Sequence, residues 1–150
     1  MIDEMKILVD GDGCPVNSIV EQRAKEKNIC VLIFIDTSHL LISDYSQIVQ
    51  VSKGVDSADF ALISYANKGD LIVTGDYGVA TMGLAKGCVV LNFNGKRYTN
   101  ENIDQLLFER HLSKKMRKSG IRTGHIKKRT KDDDMHFSEA LRRILCDVSE

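Results

Sequence analysis

The stretch Lys6-Ile7-Leu8-Val9-Asp10-Gly11-Asp12-Gly13-Cys14-Pro15 decides the fold. An unbroken apolar run ends on an acid, a second acid follows across one glycine, and a proline precedes a helical pattern. A short continuous apolar run of this kind suits a strand buried on both faces of a parallel sheet. Val16, Ile19, Val20 and Ala24 then recur at helical spacing, with Pro15 suited to the first helical position. A second apolar run, Leu71-Ile72-Val73, closes in the same manner on Thr74-Gly75-Asp76. Carboxylates delivered at the C-terminal ends of strands are how an α/β fold builds a metal or phosphate site.

Working outward, strand and helix patterns alternate. Strands are expected at 6–10, 29–35, 48–51, 71–74 and 88–93. Helices are expected after Pro15, around Ala58 to Ala66, over 79–86, and beyond Thr99, which can cap the helix carrying Ile103, Leu106 and Leu107. Phe137, Leu141, Ile144, Leu145 and Val148 mark a final amphipathic helix, whose start takes the run Asp132-Asp133-Asp134 as a dipole-favoured first turn. The β-α-β alternation implies an α/β domain with a parallel sheet and helices on both faces. A length of 150 residues with 43% hydrophobic content suits one domain spanning 1–150.

Lys plus Arg equals Asp plus Glu at 21 each, so total charge does not select a partner. Its distribution does. From Arg110 to Lys131 there are ten basic residues and no acid. A mobile basic segment is expected over about 113–131, with Lys114, Lys115, Arg117, Lys118, Arg122, Lys127, Lys128 and Arg129 facing a polyanion. Within it, Ser119-Gly120-Ile121-Arg122-Thr123-Gly124 could wrap a phosphate through backbone N–H groups. A solvated helix face followed by a flexible loop is the structural alternative.

The four cysteines form no C-x-x-C pair, which leaves zinc-ribbon and thioredoxin-like readings without support. Cys30 and Cys88 lie in apolar runs and read as buried thiols. Cys14, at a helix start, reads as packing in preference to a nucleophile. The four histidines show no metal-ligand spacing and read as surface residues. With no signal-peptide pattern and no apolar stretch of the roughly 20 residues that span a bilayer, a cytoplasmic protein with no membrane partner is expected. The oligomeric state is not legible.

The acids carry the chemistry. A phosphodiester repels its attacker. A divalent ion held by carboxylates neutralises that charge and makes hydroxide available near neutral pH. Mg²⁺ and Mn²⁺ favour hard oxygen ligands, often few from the protein. Asp10, Asp12 and Asp76 are the candidate catalytic acids. Asp10, Asp76 and one or both of Asp56 and Asp59 are the candidate ligands, although helix capping also explains Asp56, Asp59 and Asp12. Asp36 is a weaker fifth acid, and Asp70 reads as a turn residue. Asn17 could hold a metal-bound water, and Thr74 could touch a phosphate. Gly11 and Gly13 lack the third glycine of a dinucleotide fingerprint.

Val-Asp-Gly-Asp-Gly-Cys-Pro at 9–15, Gly-Val-Asp-Ser-Ala-Asp at 54–59, Gly-Asp-Leu-Ile-Val-Thr-Gly-Asp at 69–76 and Ser-Gly-Ile-Arg-Thr-Gly at 119–124 together resemble the YaiI/YqxD family, over nearly the whole chain and in the same order. Many members carry Asp-Ala-Asp-Ala where this chain has Asp10-Gly11-Asp12-Gly13. That family looks related to PIN-like and NYN-type nuclease domains. The resemblance implies a three-layer, parallel-sheet, Rossmann-like fold with a basic loop and a C-terminal helix. It implies Mg²⁺ or Mn²⁺ held by Asp10, by Asp56 or Asp59, and by Asp76, and hydrolysis of nucleic acid, RNA foremost. Two other readings stand beside it. Asp10-x-Asp12 resembles the D-x-D of haloacid-dehalogenase-like phosphatases, but Cys14 replaces the Thr or Val expected there and no clear lysine motif follows. A non-catalytic RNA- or protein-binding module is the third.

Overall fold

Strand β1 (Ile7–Asp10) is paired on both sides, with β2 (Val31–Asp36) and with β4 (Leu71–Val73), both parallel. In the computed structural model, which describes residues 5–36, 41–52, 57–120 and 128–148, one six-stranded sheet runs in the order β3-β2-β1-β4-β5-β6. The remaining strands are β3 (Gln47–Val51), β5 (Val89–Leu91) and β6 (Arg97–Tyr98). All pairings are parallel except β5 with β6. The helices are α1 (Asn17–Lys27), α2 (Ser57–Tyr65), α3 (Tyr77–Ala85), α4 (Ile103–Lys118) and α5 (Lys131–Val148).

Side-chain alternation along the strands divides the core into two halves. Ile7, Val9, Val31, Ile33, Leu71 and Val73 point to the face covered by α1 and α5, where Val20, Ala24, Phe137, Leu141 and Leu145 are buried. Leu8, Leu32, Phe34, Ile72 and Val90 point to the other face, against α2, α3 and α4. The expected α/β architecture with a mostly parallel sheet and a C-terminal helix is therefore present, in three layers.

Asp70 does more than turn the chain. It is buried, accepts hydrogen bonds from the backbone N–H groups of Lys6 (3.2 Å) and Asn67 (2.8 Å), and pairs with Lys6 Nζ at 2.6 Å. It thereby ties the starts of β1 and β4 together, at the end of the sheet opposite their terminal acids.

Several expectations change in detail. Pro15 stands in a turn and α1 begins at Asn17. Cys88 is buried as expected, but Cys30 is exposed. Its carbonyl accepts from Ile7 N–H (2.9 Å) at the mouth of the sheet, so its backbone joins the ladder while its side chain stays outside the core. Strand β6 was not anticipated: two residues following the Asn94-Gly95 turn are too few to leave a periodic signal. Helix α4 is longer than its apolar pattern suggests and runs to Lys118, so residues 113–118 are helical and are not the start of a loop. Lys131 likewise opens α5, where Thr130 and Asp133 cap each other reciprocally, a capping-box arrangement. Val148 closes α5, and its side chain lies outside the described set.

Candidate active site

The strand order reverses between β1 and β4. The chain leaves β1 for β2 on one side, then returns through α2 to β4 on the other. Connections leaving such a point diverge and open a crevice at the carboxyl ends of the strands. Here the crevice is a cleft of about 580 Å³ lined by Asp10, Asp12, Gly75, Asp76, Tyr77, Phe93, Arg110 and Arg117. Both strand-terminal acids singled out in the sequence, and Asp12 beside the first, thus share one cleft.

Thr74, fully buried, joins them. Its hydroxyl donates to Asp10 Oδ2 at 3.0 Å and accepts from the Asp76 backbone N–H at 3.0 Å. Its position is structural: it orients Asp10 and fixes the loop that carries Asp76. Asp76 caps α3, with Oδ1 accepting from Gly78 N–H (2.7 Å) and Val79 N–H (3.3 Å). One oxygen is thus committed to the helix and the carboxylate is held rigidly. Asp76→Ala is expected to destabilise the fold by about 0.5–2 kcal/mol, whereas Asp76→Asn keeps a competent cap and costs little. Chemical denaturation of the two variants measures the difference.

Asp12 accepts from the Asp36 backbone N–H at 3.2 and 3.4 Å, which fastens the loop after β1 to the end of β2. Gly11 is what lets this loop lie there. A Cβ at position 11 would stand 2.5 Å from Ile33 Cγ2, 3.0 Å from Ile35 Cγ2 and 3.1 Å from the Phe34 carbonyl oxygen. A side chain at position 11 therefore does not fit against this β2. Gly11→Ala is expected to cost about 1–3 kcal/mol through overpacking, read as a lowered thermal midpoint.

Burial raises the Asp10 carboxyl, and the negative charges of Asp59, Asp76 and Asp12 raise it further, against the opposing Thr74 hydrogen bond; it sits at about 6. Asp59, in the first turn of α2, is therefore electrostatically part of the acid group although it does not line the cleft. Burial pushes the Cys14 thiol up to about 11, which favours packing over nucleophilic attack. Asn17 Oδ1 is buried and accepts no hydrogen bond from the described residues.

Among the described residues, no three His, Cys, Asp or Glu side chains stand together as a ready cation cage. The donor set suits an ion that takes one or two carboxylates and completes its shell with water and phosphate oxygens, the habit of Mg²⁺. Asp56, Arg122, Thr123 and Lys127 lie outside the described residues. Lys114, Lys115 and Lys118 are exposed on α4, and Lys128 is exposed before α5. The Arg129 guanidinium is engaged by the Phe93 carbonyl (2.8 Å), Asn94 Oδ1 (3.1 Å) and Asp134 Oδ1 (2.7 Å), so it joins the β5–β6 turn to α5.

Arg110 and Tyr77 were not among the expected site residues. Arg110 lies over the Tyr77 ring at 5.5 Å from its centroid, and the edge of Tyr98 supports that ring at a centroid distance of 5.7 Å. The available signal was spacing: Ile103, Arg110 and Arg117 recur at one heptad, which keeps them on one helical face.

The family described as "Uncharacterized BCR, YaiI/YqxD family" matches residues 8–147. The chain is similar to a UPF0178 protein of Lachnoclostridium phytofermentans, 51% identical over 148 residues that cover 97% of this chain and 99% of the relative. It is 51% identical to a UPF0178 protein of Ruminiclostridium cellulolyticum over 146 residues, covering 97% and 95% of the two chains. A UPF0178 protein of Clostridium acetobutylicum is 49% identical over 144 residues, 94% of this chain and 97% of the relative. No solved structure matches it significantly.

Proposed function

The chain belongs to the YaiI/YqxD family, and from its cleft we propose that it is a Mg²⁺- or Mn²⁺-dependent nuclease that hydrolyses phosphodiester bonds, RNA foremost. One observation carries this reading. Asp10 and Asp76 leave adjacent parallel strands at the point where strand order reverses, share the Thr74 hydroxyl, and face a cleft that also contains Arg110 and Arg117.

Burial first, and then the neighbouring charges of Asp59, Asp76 and Asp12, raise the Asp10 carboxyl. Such a site favours a divalent cation, because the cation relieves the repulsion that the acids impose on one another. When bound, the ion supplies charge neutralisation at phosphate and hydroxide near neutral pH. The residues of the chain do the rest. Asp10 and the outward side of Asp76 present hard oxygens, joined by Asp59 or Asp56. Thr74 fixes the Asp10 carboxylate. Asp12 holds the loop after β1 against β2 and is placed to take a proton within the cleft. Arg110 and Arg117 hold phosphate oxygens, and Tyr77 keeps Arg110 in place by stacking beneath it.

The test is a calorimetric Mn²⁺ titration of wild type and of an Asp10→Asn/Asp76→Asn variant, followed by cleavage of single-stranded RNA with Mn²⁺ or EDTA. Binding by the wild type alone, with EDTA-sensitive cleavage, is the expected result. Equal Mn²⁺ binding by both proteins, or cleavage that survives in the variant, would overturn the assignment of the acids.

A further inference from the structure

The face of α4 that reaches the cleft changes chemistry along its length. Ile103 is buried, and Leu106 and Leu107 pack against the half-core beneath. One turn further, the same face carries Arg110, then Lys114 and Arg117. These positions continue the i, i+3/i+4, i+7 register. The apolar part packs in that half-core, and in the cationic part Arg110 and Arg117 line the cleft. The opposite face is different again, with Phe108 and Leu112 exposed. The cations at 110, 114 and 117 thus form a stripe, and no acid lies between Arg110 and Lys118 to neutralise it.

Helix geometry sets the spacing of that stripe. Arg110 to Lys114 spans about 6 Å along the axis and Lys114 to Arg117 about 4.5 Å. Successive phosphates of an extended strand lie farther apart than the shorter of those steps, a difference that the long Arg and Lys side chains can take up. Arg110, stacked on Tyr77, fixes one end of the stripe beside the acids. We propose that a single nucleic-acid strand runs along this stripe of α4, with consecutive phosphates held by Arg110, Lys114 and Arg117, so that the site takes oligonucleotides in preference to mononucleotides or isolated phosphodiesters. This rests on the nuclease reading for its chemistry, but the strand path itself is tested without chemistry.

The experiment measures binding of a labelled oligouridylate to the full chain in EDTA, across a salt series. The proteins are wild type, Arg110→Ala, Lys114→Ala, Arg117→Ala, Arg110→Lys and Lys115→Ala. Each stripe alanine is expected to reduce the slope of log K against log salt by about 0.7, equivalent to about fivefold weaker binding at 0.1 M salt. Arg110→Lys should keep the slope. Lys115→Ala, off the stripe, should change the slope much less. Equal losses at Lys115 and Arg117 would replace the stripe with a diffuse field and overturn the proposal, as would unchanged slopes in all variants. A parallel assay of bis(p-nitrophenyl) phosphate with Mn²⁺ separates this inference from the nuclease reading. Turnover unchanged by Lys114→Ala, the stripe residue that does not line the cleft, supports both. Altered slopes with no turnover of that ester or of RNA by the wild type would leave the strand path standing and remove the nuclease reading.

Discussion

Asp10→Asn is expected to melt above the wild type at pH 8 while losing metal-dependent cleavage. The physical reason is the charge that Asp10 carries into a half-closed acidic site. Its carboxyl titrates at about 6 in the folded protein, against an ordinary 3.8. The folded state therefore holds this proton more tightly than the unfolded state. Between about pH 4 and pH 6 the folded chain binds more protons than the unfolded one, so stability falls as pH rises through that window. Above it the ionised group costs about 1–3 kcal/mol, since each pKa unit is worth about 1.4 kcal/mol. Asparagine retains an oxygen to accept from Thr74 and abolishes the charge. A gain of about 3–10 °C at pH 8 is expected, shrinking towards zero at pH 4. Cleavage should fall by more than the about 10–100-fold typical of losing a partner one shell out from a metal. Thermal melts of both proteins from pH 4 to pH 8, with and without Mn²⁺, check the sign. A variant less stable than wild type at pH 8 would show that Asp10 is stabilising in the folded protein and that its negative surroundings are already compensated.

Phe137→Ala is expected to have the largest effect on the fold. Phe137 is fully buried in the half-core under α1 and α5, with Leu141 and Leu145 one and two turns further along α5. Truncating a buried phenylalanine costs about 3–5 kcal/mol, comprising lost transfer energy and the cavity left behind. That is a large part of the 5–15 kcal/mol that holds a typical domain together. The loss also reaches the β5–β6 turn. A Cβ on Gly95 would stand 2.7 Å from the His136 carbonyl oxygen and 3.1 Å from Phe137 Cα, so that turn is seated directly on this part of α5. Urea denaturation should show a midpoint lowered accordingly. An unchanged midpoint would mean that α5 contributes little to the folded state.

The strands and the acids at their ends were legible because both are local. A buried parallel strand is a continuous apolar run, and an acid that ends it is the next letter. Ile7-Leu8-Val9-Asp10 and Leu71-Ile72-Val73 followed by Asp76 needed nothing more. That β1 and β4 lie side by side is not local, and the sequence carried it only through the β-α-β alternation. The cationic side of the cleft was half legible. The basic residues were visible, but as a mobile segment, because apolar periodicity ends at Leu107 and a helix without an apolar face resembles a loop. Past Leu107 the same face of α4 meets the cleft instead of the core, and cations take those positions. Arg110 was counted in the charge run yet not assigned to the site for the same reason. Asp12 and Asp70 show a further limit: hydrogen bonds to Asp36 N–H and to Lys6 N–H join residues that only the folded chain brings together.

The order of the elements along the chain also bears on how the protein is made. Every strand of the sheet precedes Thr99, whereas the helix that completes the cover over one face is the last element, α5. During synthesis the sheet can pair before Phe137, Leu141 and Leu145 emerge, and that face stays incompletely covered until they do. Nascent chains fold from the N-terminal side and expose apolar surface while they wait. The emergence of α5 therefore seals that face, and a nascent chain held before Phe137 emerges would keep a sheet complete in its strands, with one side still adhesive.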